Sequence, residues 1–380
     1  MSHIIEFHLI QNFAPSNLNR DDTGAPKDAL FGGHRRARVS SQCFKRAIRL
    51  AVTDSALIAE EFRAVRTKKL VDMVVEKLGK GNDEGVRARV VGVLAAARLD
   101  VKDDGKTEYL LFLGRREIDG FARIVDEHWD ALLPSSQAGE KKSKKDAKSA
   151  ANPEVQKQAK ALLNGGKAVD VALFGRMLAD LPQANQEAAC QVAHAISTHR
   201  VEREFDYFTA VDDMGGADET GAGMIGQVEF NSATFYRYAA LDVQKLLSNL
   251  GGDHTLTLAA VEAFVRAFAL AIPTGKQNTF AAHNLPSFVG VCARSAGPMN
   301  LANAFEKPVF ARQDRPLTAL SVEALANHDV RLSGIYGDGT DAWSYLDITD
   351  AWPADKGARH DTLEALAGWV KQQAEARLGA

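Results

Sequence analysis

Between Ser16 and Arg49 the chain reads SNLNRDDTGAPKDALFGGHRRARVSSQCFKRAIR. A stretch with no sustained hydrophobic period passes there into an amphipathic helix. Ser40 or Ser41 is positioned to cap that helix, because a serine oxygen accepts from an otherwise unpaired first-turn N–H. Phe44, Ala47, Ile48 and Ala51 then recur on one face. Gln42, Lys45, Arg46 and Arg49 recur at i, i+3, i+4 and i+7 on the other. A basic helical stripe by itself reads as a solvated face. The adjoining run adds Arg20, Lys27, Arg35, Arg36 and Arg38, punctuated by Gly24, Gly32 and Gly33. The whole protein has a formal net charge of −3, so this concentration of cations is local. It points to a phosphate-binding surface. Phe13 to Arg38 is expected to be a long loop, and loops of that length in a compact protein are usually functional or disordered.

A chain of 380 residues exceeds what one core usually supports, so two domains or one domain with large insertions is expected. Its hydrophobic fraction of 46% and charged fraction of 25% are those of a soluble globular protein. No window is apolar for long enough to span a membrane. The first residues lack the basic start and apolar run of a signal peptide. Cys43, Cys190 and Cys292 are far apart and odd in number. That fits a reducing cytoplasm without a disulfide framework or a structural zinc site.

His3 to Ile10 reads as a strand. From about Glu60 to Cys190 the composition turns helical, rich in alanine and charge. Within it Pro134 to Gln158, with KKSKKDAKSAANPE, has almost nothing to bury and is expected to be a mobile exposed loop. Phe205 to Val211 and Met224 to Phe230 are aromatic strand candidates. The glycine-rich connection between them is too long for a tight turn. Further on, Tyr238 to Leu250 reads as a helix closed by Gly251 and Gly252, and Leu256 to Ile272 as a second helix. Phe288 to Cys292 is a short buried strand. Asp361 and Glu364 form a capping pair for a last helix that turns Leu363, Leu366 and Val370 inward.

The motif inventory excludes the commonest nucleotide enzymes and hydrolases. Gly275-Lys276 has Leu270 where a phosphate-binding loop needs its first glycine. No GxGxxG follows a strand, and neither HExxH nor GxSxG occurs. Asp21 with Asp22, and Asp212 with Asp213, together with His199 or Asp206, offer Mg²⁺ ligands for phosphodiester cleavage. The plainer alternative is that Asp21 and Asp22 pair with Arg20 and that Asp212 and Asp213 end a strand. Cys43 is either a thiol with a lowered pKa beside basic groups or a small packed residue. Met177 is either core packing or an apolar wedge beside Arg176. Serine, glutamine, cations and exposed aromatics are otherwise the materials of nucleic-acid binding.

The run from Ser16 to Arg49 resembles the CasC (Cse-type) family, the backbone subunits of the type I-E CRISPR complex Cascade. THRVEREFDYFTAVDD, GQVEFNSATFYRYA and LANAFEKPV (301–309) resemble the same family in the same order, so the likeness covers nearly the full chain. The resemblance implies an α+β fold with a modified RRM, ferredoxin-like palm, an inserted helical fingers domain and a β-hairpin thumb. The palm would be 1–59, 191–201 and 234–380, the fingers 60–190 and the thumb 202–233. It implies a non-catalytic subunit without cofactor or metal that binds crRNA and stacks with further copies of itself. Its other partners would be CasA, CasB, CasD and CasE, with target DNA recruited by guide pairing and no membrane. Carried over by position, Arg20, Lys27, Ser40, Gln42, Lys45, Arg46 and Arg49 would contact guide phosphates and riboses. Met177 would wedge beside a kinked base, and Tyr207, Phe208 and Thr209 would lie near a displaced nucleotide. Arg49 stands where relatives carry lysine, and Tyr207 replaces another large aromatic. Two alternatives stay open: a metal-dependent endoribonuclease of type III-like complexes, acting through Asp21 or Asp22, and a protein-only filament.

Overall fold

The computed structural model describes residues 3–132, 153–163, 168–178, 181–210, 224–294, 296–337 and 339–379. The chain divides into two compact units. One is Met1–Ser55, Gln191–Gln244 and Val261–Ala380; the other is Ala56–Cys190 with Lys245–Ala260.

The first unit is organised by β1 (Ile4–Ser16), which lies inside a mixed, mostly antiparallel sheet. The path through the sheet starts at β12 (Ala358–Arg359), β11 (Ala342–Asp347) and β10 (Phe288–Ala293). It continues through β1, β9 (Met224–Asp242), β7 (Ala195–Ser197), β3 (His34–Val39) and β2 (Asp28–Phe31). β6 (Cys190–Val192) and β8 (Glu204–Ala210) also pair with β9. β1 pairs antiparallel on both sides, Ile5 to Ala293 of β10 and Ile4 to Asp242 of β9.

Strand geometry sends alternate residues of β1 to opposite faces. Phe7 meets Phe264 and Phe268 on the helix His254–Leu270, with ring centroids 5.1 and 5.8 Å away. His8 meets Tyr238 and Trp343 on the other face. Both faces are covered, which is why β1 is apolar beyond simple alternation. The helix α1 (Ser41–Asp54) buries Phe44, Ala47 and Ile48 as its stripe requires. Phe44 lies against the buried Arg237, 4.1 Å from ring centroid to guanidinium carbon.

The other unit is helical, with α2 (Leu70–Leu78), α3 (Glu84–Ala96), α4 (Arg115–Glu127) and the helices Pro153–Leu162 and Val169–Phe174. A short pair, β4 (Ala64–Thr67) and β5 (Leu111–Gly114), accompanies them. Asp83 caps α3 by accepting from Val86 N–H at 2.9 Å. Val74, Val90, Leu94, Phe121, Val125 and Val155 are buried together in its core.

Four expectations are corrected. Phe13–Arg38 is not a continuous loop: β1 runs to Ser16, and β2 and β3 form a hairpin with Phe31 opposite His34. Its two-residue turn is Gly32-Gly33, both at positive φ (58° and 77°), the conformation hairpin turns require and glycine adopts without steric cost. Tyr238–Asp242 is strand, because pairing with β1 overrides local propensity; only Val243–Asn249 is helical there. The last helix, Leu363–Leu378, is capped by Thr362, not by Asp361. Pro153–Gln158 is the start of a helix that buries Val155 and Ala159; the rest of the lysine-rich stretch, Pro134–Asn152, lies outside the described residues.

Candidate nucleic-acid interface

Ser40 ends β3's connection and starts α1. Its Oγ accepts from Cys43 N–H at 3.3 Å, while its own N–H donates to Asn19 Oδ1 at 2.9 Å. The cap therefore locks α1 to the loop that carries Arg20. That loop is closed by Asp21, whose Oδ1 accepts from Thr23 N–H (3.0 Å), Thr23 Oγ1 (2.7 Å) and Ala25 N–H (3.0 Å). The Thr23 hydroxyl, with the backbone donors, holds the Asp21 carboxyl below its ordinary pKa. Asp21 thus serves its own turn instead of pairing with Arg20, and Asp22 is exposed beside it.

The loop, α1 and the segment Thr274-Gly275 enclose a cavity of about 530 Å³, into which Arg20 and Arg46 line the wall. Arg46 Nη1 donates to Thr274 Oγ1 at 3.3 Å. A second cavity of about 230 Å³ shares Arg20 and Gly24 and adds Gln227, Glu229 and Lys276. Of the other predicted groups, Gln42 is exposed on α1, and Lys45 and Arg49 are half-buried on the same helix. Lys27 is half-buried, its N–H donating to Asn19 C=O at 2.8 Å. Of the predicted groups, Arg20 and Arg46 line the larger cavity together, while Gln42, Lys45 and Arg49 lie elsewhere on α1. Lys27, Arg38 and His194 stand together, with Arg38 Nη1 3.2 Å from His194 Nδ1. Burial, then the Arg38 and Lys27 charges, depress the His194 pKa.

The hairpin of β8 and β9 pairs Phe205 with Glu229, Tyr207 with Gln227 and Phe208 with Gly226. Tyr207 is 72% exposed and Phe205 55%. The Phe208 ring lies across Gly226, where an added Cβ would sit 2.2 Å from ring carbon Cζ. Thr209 is exposed on the same strand as Tyr207. The root of this ribbon is tied to the loop region. Arg203 bridges Asp28 (2.9 Å) and Glu229 (3.2 Å), and Arg35 also contacts Asp28. Asn17 Nδ2 is 2.9 Å from both Gly24 C=O and Glu229 C=O. The connection with Asp212 and Asp213 lies outside the described residues.

Met177 belongs to the helical unit and is 83% exposed, so it is not core packing there. Its neighbour Arg176 is buried instead, with Nη1 2.8 Å from both Glu117 oxygens. Met177 lines an apolar cavity of about 180 Å³ with Leu99, Tyr109, Leu110 and Leu178. Cys43 is half-buried and burial pushes its thiol up, which contradicts a lowered pKa and leaves the packed-residue reading. His199 is structural: Nδ1–H faces Arg200 C=O at 2.8 Å and Nε2 accepts from Thr234 N–H at 3.1 Å. Among the described residues, no group of three or more His, Cys, Asp or Glu is placed to hold a metal ion. No described helix is long and apolar enough to cross a membrane. Sequence reasoning missed Asn19, Thr274 and Gly275 as wall residues. For Thr274 and Gly275 the signal was the TGK run after a helix, which fails as a phosphate-loop motif.

The sheet unit thus carries a capped basic helix, a turn-rich loop and a ribbon with exposed aromatics, the kinds of group that phosphates and bases can contact. The family is defined by the sequence: residues 5–369 match the model of the CT1975-like proteins, and the chain belongs to that family. It is 33% identical to a chain of a solved CRISPR RNA-guided surveillance complex, pre-nicking. The likeness covers 98% of this chain and 100% of that one, with a TM-score of 0.85. A chain of a second CRISPR RNA-guided surveillance complex is 28% identical, over 97% of this chain and 99% of that one, with a TM-score of 0.73. No curated protein matches the chain.

Proposed function

We propose that this protein is a non-catalytic subunit of an RNA-guided surveillance complex, binding crRNA along the basin beside α1. The observation that carries the reading is the 0.85 TM-score over essentially the full length of a surveillance-complex chain. The basin supplies a physical reason for it: Arg20 and Arg46 face a cavity large enough for a sugar-phosphate segment. The strand order β10-β1-β9-β7, with helices following β3 and β9, supports reading the sheet unit as a ferredoxin-like palm. In this reading residues 60–190 are the fingers and 202–233 the thumb. Tyr207, Phe208 and Thr209 then meet a displaced nucleotide, and Met177 meets a kinked base. Successive copies assemble along the guide and leave its bases free for target DNA, which fits a type I-E CasC role beside CasA, CasB, CasD and CasE. Sequence is then read by base pairing, and the protein reads backbone and shape.

The test is to co-express the protein with a guide and measure RNA content of the purified assemblies. Replacing Lys45, Arg46 and Arg49 together by alanine is expected to remove the co-purifying RNA while the protein stays folded. An RNA-bearing triple variant would refute the basin as the binding surface.

A further inference from the structure

The wall formed by Thr274, Gly275 and Lys276 has no part in the sequence-based site, yet it borders both cavities. Thr274 and Gly275 line the larger one with Arg20 and Arg46, and Lys276 lines the smaller one with Arg20 and Gly24. Three consecutive residues therefore border both cavities.

The wall is built tightly. A Cβ on Gly275 would sit 2.3 Å from Leu18 C=O oxygen, so only glycine lets this segment close on the loop. Gln277 Nε2 donates to Pro273 C=O at 2.9 Å, and Thr279 and Phe280 N–H both donate to Lys276 C=O at 3.0 Å. Phe280 in turn packs on Phe230 of the ribbon, centroids 5.7 Å apart. Lys276 itself is held at φ 51°, ψ 25°, a left-handed conformation that glycine or asparagine adopts at lower cost. Ala281 is held likewise at φ 47°, so the conformation belongs to the tight turn, and it is the place of Lys276 on the smaller cavity that gives its side chain access to a ligand.

The charges around it leave room for an anion. Glu229, the acidic neighbour in the smaller cavity, is paired with Arg203 at 3.2 Å. Asp21 is turned into its own loop by three hydrogen bonds, and Asp22 is the remaining carboxylate on the larger cavity. Arg20 lines both cavities, Arg46 Nη1 donates to Thr274 Oγ1 on the larger one, and Lys276 adds a cation on the smaller one.

We propose that Lys276 takes a backbone phosphate of the bound RNA, with Thr274 aligning Arg46 for the neighbouring one. This rests on the RNA-binding reading above and adds a second wall to it. The test measures binding of a single-stranded, guide-length RNA to the purified protein over a range of salt. Lys276→Gln is expected to weaken binding roughly tenfold and to lower the log–log salt slope by about one. Lys276→Gly is expected to raise the melting temperature, since it relieves the left-handed strain, and still to weaken binding to the same degree. Lys276→Arg is expected to restore most of the affinity. If the wild type binds RNA and both Gln and Gly variants match it in affinity and slope, the second wall is overturned while the basin stands. If the wild type binds no RNA, the parent reading has failed instead.

Discussion

Two sets of charges in the sheet unit contrast sharply. Behind β1, Arg294 is fully buried and contacts Glu6, Asp329 (2.8 Å) and Asp341 (2.6 Å). Lys356 reaches Asp329 as well, and Tyr238 donates to Glu6 at 2.6 Å. Beside α1, Arg20 and Arg46 are exposed around a cavity. Interior charges are consumed by partners the fold supplies, because a desolvated ion without one is too costly. The basin cations remain open to water on one side, so a ligand can compete for them. Buried arginine therefore marks architecture here, and exposed arginine marks the surface where binding is to be sought.

Arg294→Ala attacks the interior set and has the largest expected effect. It removes the guanidinium that Glu6, Asp329 and Asp341 share, leaving Lys356 at Asp329 and the Tyr238 hydroxyl at Glu6, and the loss should be about 3–5 kcal/mol in chemical denaturation. If it instead leaves stability unchanged and removes RNA, the division between the two sets collapses.

Acid sharpens the same contrast. Burial by itself would raise Glu6 and Asp329, but the His8 and Arg294 contacts at Glu6, and Arg294 with Lys356 at Asp329, outweigh it. Both carboxyls ionise at lower pH in the folded than in the unfolded chain. Their contribution is thus complete above the unfolded values of about 4 and is lost as pH falls through the folded ones. Melting followed from pH 6 downward should show the contribution of these two carboxylates being lost only below about pH 4.5, on top of the loss near about pH 6 that the depressed His194 adds. Arg294→Ala should flatten that fall.

The ribbon gives a smaller effect of the opposite kind. Tyr207 is exposed and packs on little, so Tyr207→Ser should leave stability within about 0.5 kcal/mol. RNA binding should weaken by roughly 1–3 kcal/mol if a base stacks there. Unchanged affinity, measured by the same salt titration, would leave Tyr207 without a role in binding.

The contrast also explains what could be read from sequence. α1 was legible because its cap, stripe and basic face are local, and Phe288–Ala293 because a run buried on both faces is apolar throughout. The β2–β3 hairpin was not, since ALFGGHRRARV hides its alternation under charge: Arg36 is an inward residue that donates to the Ser197 and Phe305 carbonyls. Tyr238 likewise reads as the start of a helix, though it continues the strand of Tyr236 and Arg237. In the fold Arg237 is fully buried between Gln11 Oε1 and Phe268 C=O, both 2.6 Å away, and burial lowers its pKa to about 9. The far wall at Thr274–Lys276 could not be joined to α1 for another reason: 228 residues separate Arg46 from Thr274, and only the fold brings them together.

Asp21 is an acidic group on the basic basin whose Oδ1 is taken up by its own turn. Its Oδ1 holds the loop turn, so its role should survive loss of charge but not loss of the oxygen. Asp21→Asn keeps an acceptor and should bind RNA as the wild type does. Asp21→Ala frees the Thr23 and Ala25 donors and should lower affinity modestly by loosening the Arg20 loop. Incubating assemblies with complementary RNA and Mg²⁺ separates this from a cleavage role. Wild type, Asp21→Asn and Asp22→Asn should all leave the RNA intact. Cleavage by the wild type that disappears in either asparagine variant would make the carboxylate chemical and the scaffold reading wrong. Equal, intact RNA in all three confines Asp21 to the turn that aims Arg20 into the basin.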